Sequence, residues 1–304
     1  MPAQSARFRR PTLLIVGFGD IGSRVLRLLA PRWRVLALTT SAARRPALRA
    51  AGAVPLIGNL DDPGTLGRLA ALADAVLHLA PPQPDGAVDT RTRHLVQALA
   101  RGSRVTRLVY ASTSGVYGDC GGARIDETRA VRPQTARARR RADAEARLRH
   151  FGRAGGVRVS LLRVPGIYAA DRPGGHPRER LLRGTPVLAR EEDVYTNHIH
   201  ADDLARACVA ALQRGAPQRA YHVSDDSELR MGDYFDLAAD LCGLPRPPRV
   251  SRADAPALLS PLQLSFMAES RRMSNLRLKR ELRLVLFFPT VEEGLAARSH
   301  PLAG

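Results

Sequence analysis

Gly17, Gly19 and Gly22 stand in the spacing G-x-G-x-x-G. They lie between the apolar run TLLIVG and the stretch DIGSRVLRLLA, whose Ile21, Val25, Leu28 and Leu29 recur at helical spacing. A glycine loop between a buried strand and a helix can hold a phosphate. The first glycine permits the tight turn, the second lets a pyrophosphate approach the backbone, and the third lets helix and strand pack closely. The helix N-terminus adds free NH groups and positive potential. Gly17, Gly19, Asp20, Ile21 and Gly22 are therefore candidate dinucleotide contacts. A glycine turn without a ligand is the competing reading, and the strand-before, helix-after context weighs against it.

About twenty residues further on, an NAD site usually places an acid for the ribose 2′-hydroxyl. This chain has Thr39, Thr40 and Ser41 there, with Arg44 and Arg45 just beyond. An acid would repel a 2′-phosphate, whereas hydroxyls and a guanidinium suit one. Thr39, Thr40 and Arg44 join the candidate set, and NADP is expected ahead of NAD. Solvated loop charge is the plainer account of Arg44 and Arg45.

Such residues need a scaffold. Short, nearly continuous apolar runs (TLLIVG, WRVLALT, AVPLIGNL, DAVLHLAPP, VTRLVYAS and VRVSLLRV) alternate with helical stretches predicted at 20–30, 63–72, 88–101 and 135–153. Asp62 is placed to cap the second of these ahead of Pro63. This rhythm predicts an α/β fold with a doubly wound parallel sheet. It breaks after Pro165, where AADRPGGHPRE opens a mixed region. We therefore expect a dinucleotide-binding core over 11–165 and a smaller substrate lobe over 166–304, with some segments returning to the core.

The 304 residues carry a net charge of +18, almost all of it arginine, since Lys279 is the only lysine. The arginines are dispersed, whereas nucleic-acid binding requires clustering on one face. A compositional skew is the favoured account, and nucleic acid is not an expected partner. Cys120, Cys208 and Cys242 are too scattered for a zinc site or redox pair. His198 and His200 lack a third ligand nearby, so no metal is expected. The run Leu13–Phe18, after Arg7, Arg9 and Arg10, is too short for a secretion signal. No stretch has the roughly 20 apolar residues of a membrane span. The expectation is a cytoplasmic protein that does not engage membranes.

DAVLHLAPP, LVYASTSGVYG, DETRAVRPQ and NHIHADDLARA together resemble the extended, here atypical, branch of the short-chain dehydrogenase/reductase superfamily, the NAD-dependent epimerase/dehydratase family. The resemblance covers about residues 12 to 245, and PTVEEGL near the end is also family-like. It implies a Rossmann sheet and a C-terminal lobe that grips a small substrate. It also implies adenine and ribose contacts at Asn59, Leu60, Leu79, Ala80 and Pro81. The family's catalytic Ser/Thr falls on Thr113, a hydrogen-bond donor to the reacting oxygen. Ser114 and Gly115 stand where family dehydratases carry an Asp-Glu pair, which argues against sugar-nucleotide dehydration.

The family's Tyr-x-x-x-Lys motif is absent from TARARRRADAEARLR. Placed by Glu145, Arg137 takes the tyrosine position and Arg141 the lysine position. A guanidinium cannot cycle protons near neutral pH, but it can hold an anion or touch ribose hydroxyls. Tyr117, four residues beyond Thr113, is the substitute acid/base to test, and Tyr168 also flanks the expected pocket. Packing in a strand-end turn is the plainer role for Tyr117.

Three functions remain open. The first is an NADP-dependent oxidoreductase or epimerase on a carbonyl or hydroxyl substrate, and Arg137, Arg163 and Arg183 near the pocket would suit an anionic one. The second is a non-catalytic NADP-binding sensor or partner-binding module. The third, and least favoured, is an RNA-binding Rossmann protein. The resemblance also implies a homodimer through the helices after strands four and five. That pairing would face arginines against each other unless Asp143 and Glu145 offset them.

Overall fold

The structure, a computed structural model, describes residues 10–102 and 104–297. Arg7 and Arg9 of the basic start, and residues 298–304 of the expected lobe, lie outside the described residues. The chain begins with β1 (Thr12–Val16), α1 (Asp20–Leu29), β2 (Arg34–Thr39), α2 (Arg45–Ala50), β3 (Val54–Ile57), β4 (Ala75–His78), α3 (Thr90–Leu99), β5 (Arg107–Thr113), β6 (Arg124–Ile125), α4 (Ala136–Gly155) and β7 (Arg158–Val164). It continues through β8 (Gly166–Tyr168), α5 (Arg178–Leu182), β9 (Val187–Leu188), β10 (His198–His200), α6 (Ala201–Arg214), β11 (Arg219–His222) and α7 (Met231–Cys242). Short elements follow, among them β12 (Arg249–Val250) and β13 (Arg272–Met273).

Seven strands form one parallel sheet in the order β11-β7-β5-β4-β1-β2-β3. This is the Rossmann sheet expected from the sequence. The order reverses between β1 and β4, and a crevice opens there beyond the carboxyl ends of the strands. Side chains alternate across the sheet. Leu13 and Ile15 pack with Val25 and Leu29 of α1 and Leu204 of α6. Leu14 and Val16 pack with Leu95 of α3 and Leu148 of α4. Both faces are covered, which is why the strand sequences read as unbroken apolar runs.

Three small parallel pairs, β8–β10, β9–β12 and β6–β13, lie beside the sheet. A separate apolar cluster, including Leu181, Val187, Met231, Tyr234, Phe235 and Met267, forms the core of the later segments. α6 returns to pack on α1, and β11 returns to pair with β7. The helix expected over 63–72 is instead two 3-10 turns, Pro63–Leu66 and Leu69–Ala71. Gly64 and Gly67 disfavour a continuous helix there. Asp62 does cap the first turn, accepting from the Gly64 amide at 3.1 Å.

Among the described residues, no helix is long and apolar enough to cross a membrane. None of their His, Cys, Asp and Glu side chains cluster in threes as a metal site would require.

Candidate active site

The glycine loop follows from its neighbours. Gly17 has φ +90°, and a Cβ placed on it would lie 2.4 Å from the Ala80 amide nitrogen. Only glycine lets the end of β1 pass this close to the end of β4. A Cβ on Gly19 would meet nothing within 4 Å, so the loop is open to a ligand at that point. A Cβ on Gly22 would touch Ile15 and Phe18 at 3.4 Å, in keeping with close helix–strand packing. No side chain caps α1, which leaves its first amides available to an anion.

A trough runs over this loop. At one end a hollow is lined by Gly17, Gly19, Thr39, Thr40, Arg44, Asn59, Leu60, Leu79, Ala80 and Pro81. At the other, Gly17, Gly19, Asp20, Ile21 and Gly22 share a hollow with Thr113, Arg137 and Arg141. Every residue expected to touch the cofactor thus lines one continuous surface. Arg44 donates to the Phe18 carbonyl at 2.8 Å, which steadies it beside the loop. The Asn59 carboxamide oxygen accepts from the Asp61 amide at 3.0 Å. Asp61 is held by Arg91 through two bonds of 2.6 and 2.8 Å, and this pair keeps the Asp61 carboxyl below its ordinary range.

A third hollow, a cavity of about 340 Å³, adjoins the second and shares Thr113, Arg137 and Pro165 with it. Its other walls come from β8, α5, β10 and α7, with Tyr195, Phe266, Glu269 and Arg271 between them. Thr113 caps the turn that follows it, its hydroxyl oxygen accepting from the Gly115 amide at 3.2 Å. The hydroxyl proton remains free for a ligand.

The arginine-rich helix α4 starts at an N-cap, Thr135, whose side chain accepts from Ala138. Arg141 donates to the Ala111 carbonyl at 2.8 Å and to the Tyr110 hydroxyl at 3.0 Å. Arg137 lies over the Phe266 ring, 4.9 Å from its centroid, and makes no ion pair or hydrogen bond among the described residues. Desolvation and the neighbouring Arg141 hold its guanidinium below its ordinary pKa.

Tyr117 does not line the cavity, which corrects its expected place there. It is 1% exposed, and its hydroxyl contacts Arg163 at 2.6 Å and His222 at 2.5 Å. The 3-10 turn Ser114–Tyr117 carries its ring beneath the strand end, and burial pushes its pKa up to about 12. Tyr168 is likewise buried and bonded to the Thr290 carbonyl. Arg163 is locked below the sheet by Glu145 at 2.7 Å, and Glu145 also accepts from Ser112 at 2.6 Å. Arg183 is exposed and does not line the cavity either. The cations that do are Arg137, Arg180 and Arg271.

Sequence reading missed Arg172, Arg180, His198, Tyr234 and Arg271. All but Tyr234 sit on loops, short elements or a return strand, where no periodicity marks an inward face. Arg172 lines the phosphate hollow with Nη1 buried and without a hydrogen-bond partner. Its loop is tethered by Asp171, which accepts from Arg24 at 2.6 Å. An unpartnered buried donor beside open helix amides fits a pyrophosphate. His198 stacks on Tyr234, with ring centroids 4.1 Å apart, and burial pushes its pKa down to about 3.

The parallel sheet, the glycine loop and the adjoining cavity have the architecture of the extended dehydrogenase/reductase type. The profile of the NAD dependent epimerase/dehydratase family matches residues 13–224, and the chain belongs to that family. Among curated proteins it is similar to Protein YeeZ of Escherichia coli K12, at 27% identity over 242 residues (77% of this chain, 84% of YeeZ). It is also similar to a dTDP-glucose 4,6-dehydratase of Mycolicibacterium smegmatis, at 28% over 247 residues (71% and 72% of the two chains). A functionally unknown conserved protein from Silicibacter pomeroyi superposes with a TM-score of 0.79 at 31% identity, covering 94% of this chain and 96% of that one.

Proposed function

We propose that this protein is an oxidoreductase or epimerase that uses a nicotinamide dinucleotide, NADP ahead of NAD, on a small carbonyl or hydroxyl compound. The observation that carries this reading is the continuity of the trough. It leads from Arg44, past the open backbone at Gly19, to Thr113 and Arg137 at the mouth of the cavity. The nicotinamide ring would supply hydride chemistry. Gly17, Gly19 and the first amides of α1, with Arg172, would hold the phosphates. Arg44, Thr39 and Thr40 would take a 2′-phosphate. Arg141, already braced by Tyr110 and Ala111, would reach the nicotinamide-side ribose.

Thr113 would donate a hydrogen bond from its hydroxyl to the reacting oxygen as charge develops there. Neither Arg137 nor Arg141 can deliver and recover a proton near neutral pH. Tyr117 is enclosed, so water at the mouth would carry the proton. The test is calorimetric titration with NADPH and NADH, followed by NADPH oxidation over a panel of aldehydes, ketones and sugar nucleotides. Tight NADPH binding with turnover supports the reading, and failure to bind either dinucleotide overturns it.

One observation favours a second reading. With arginines in place of the family's tyrosine and lysine, neither of those two positions offers a side chain that cycles a proton near neutral pH. NADPH binding with no turnover on any substrate would select a non-catalytic sensor.

A further inference from the structure

The cavity beside Thr113 has an unbalanced charge. Among the described residues Glu269 is the one acid lining it; it is paired with Arg271 at 2.7 Å and only partly offsets Arg137, whose guanidinium stays below its ordinary pKa. Arg271 is further tied to the Gly118 carbonyl at 2.6 Å. His198 is neutral near pH 7, since burial holds its pKa near 3. Two cations remain. Arg137 has no ion pair or hydrogen bond among the described residues, and Arg180 has only the Pro186 carbonyl at 3.2 Å.

Each of these two guanidiniums lies over an aromatic ring, Arg137 over Phe266 at 4.9 Å and Arg180 over Phe235 at 4.2 Å. Tyr234, stacked on His198, lines the same space. Incompletely compensated cations in a partly desolvated cavity are costly, and an anionic ligand removes that cost. The rings offer flat apolar faces to the rest of such a ligand. At about 340 Å³ the cavity sits near the small end of ligand sites, which run from about 300 to 1,000 Å³. That favours a compact molecule over a sugar nucleotide.

Position narrows the class further. Arg137 and Thr113 both belong to the mouth shared with the cofactor hollow. The group that holds an anion and the group that holds the reacting oxygen are therefore neighbours. We infer that the cavity receives a 2-oxo or 2-hydroxy acid with a flat apolar body, its carboxylate at Arg137 beside Thr113 and that body along Phe266, Tyr234 and Phe235 toward Arg180. This rests on the reading of the trough as a cofactor site only for the choice of reacting carbon. The anion preference stands on the cavity alone.

The experiment is equilibrium binding to the full chain, with and without NADP, using phenylpyruvate, the neutral ketone 4-phenyl-2-butanone and UDP-glucose as probes. Phenylpyruvate should bind at least about tenfold more tightly than the neutral ketone, the scale of a charge-assisted contact. Arg137→Gln should erase that preference, Arg137→Lys should restore part of it, and Arg180→Gln should reduce it. The variants' thermal midpoints, held against wild type, separate loss of binding from loss of fold. If the neutral ketone binds as well as the acid, if UDP-glucose outcompetes phenylpyruvate, or if no probe binds, the inference is overturned. Acid binding by a protein that ignores NADPH and NADH would instead sink the cofactor reading and leave this one standing.

Discussion

In the proposed reading Arg44 and Arg172 would divide the work of holding a dinucleotide, and variants can tell them apart. Arg44 lies in the 3-10 turn just beyond the end of β2 and would meet the group by which the two cofactors differ, so Arg44→Ala should weaken NADPH about tenfold and leave NADH within about twofold, by calorimetry. Arg172 would face the part that both cofactors share, so Arg172→Ala should weaken both alike. Tyr117 makes a different point. Its hydroxyl sits between Arg163 and His222, and Tyr117→Phe leaves two buried groups short of a partner. Denaturant unfolding should show a loss of about 1–3 kcal/mol, while dinucleotide affinity holds. A drop in turnover larger than the loss of folded protein would return Tyr117 to the chemistry. The strand–glycine loop–helix unit was legible because its glycine spacing has a direct physical meaning, seen in the close pass of Gly17 by Ala80. The substrate side was not. Arg163 and Arg183 were placed in the pocket by their loops, yet a buried carboxylate claims one and solvent the other, while Arg180 and Arg271 carry no local signature at all.

Helix α4 shows how an element can keep its position after its chemistry has changed. Its basic stretch looks like a surface for phosphates, but several of its arginines are already committed to partners within the chain. Arg140 bonds the Gly86 carbonyl, Arg141 the end of β5, Arg147 pairs with Asp143, and Arg149 reaches the Gln218 carbonyl. Glu145, on the same helix, neutralises Arg163 beneath the sheet and anchors Ser112, the residue before Thr113. Both partners of that ion pair are about 5% exposed. Breaking such a pair from one side leaves a buried charge, so Glu145→Ala should cost about 3–5 kcal/mol, as read from chemical denaturation. The strands and long helices of the first half were readable because both periodicities are strong there. The segment 63–72 was misread because its apolar residues kept helical spacing while Gly64 and Gly67 broke the backbone, and composition lost to local geometry.

At the scale of the whole molecule, burial disfavours the charged form of several histidines among the described residues. Burial pushes His78, His198 and His222 down to about 3 from an ordinary 6.5. The unfolded chain therefore binds more protons than the folded one between about pH 6.5 and 3, and stability falls as pH drops through that window. His78→Gln and His222→Gln should each flatten the slope of unfolding free energy between pH 7.5 and 5, compared with wild type at matched pH; unchanged slopes would mean these rings are not neutral. The parallel sheet could be anticipated from alternation, and a return of some later segments to the core was expected; that these are α6 and β11 could not be read, because only packing decides which segments close on it. The shared mouth at Thr113, Arg137 and Pro165 has a kinetic consequence. A ligand seated in the cavity lies against lining that the neighbouring hollow shares, so it would stand beside whatever occupies that hollow and hinder its departure. Saturating acid should therefore lengthen the residence time of bound dinucleotide in stopped-flow displacement, a retention effect that two chambers with separate openings would not produce.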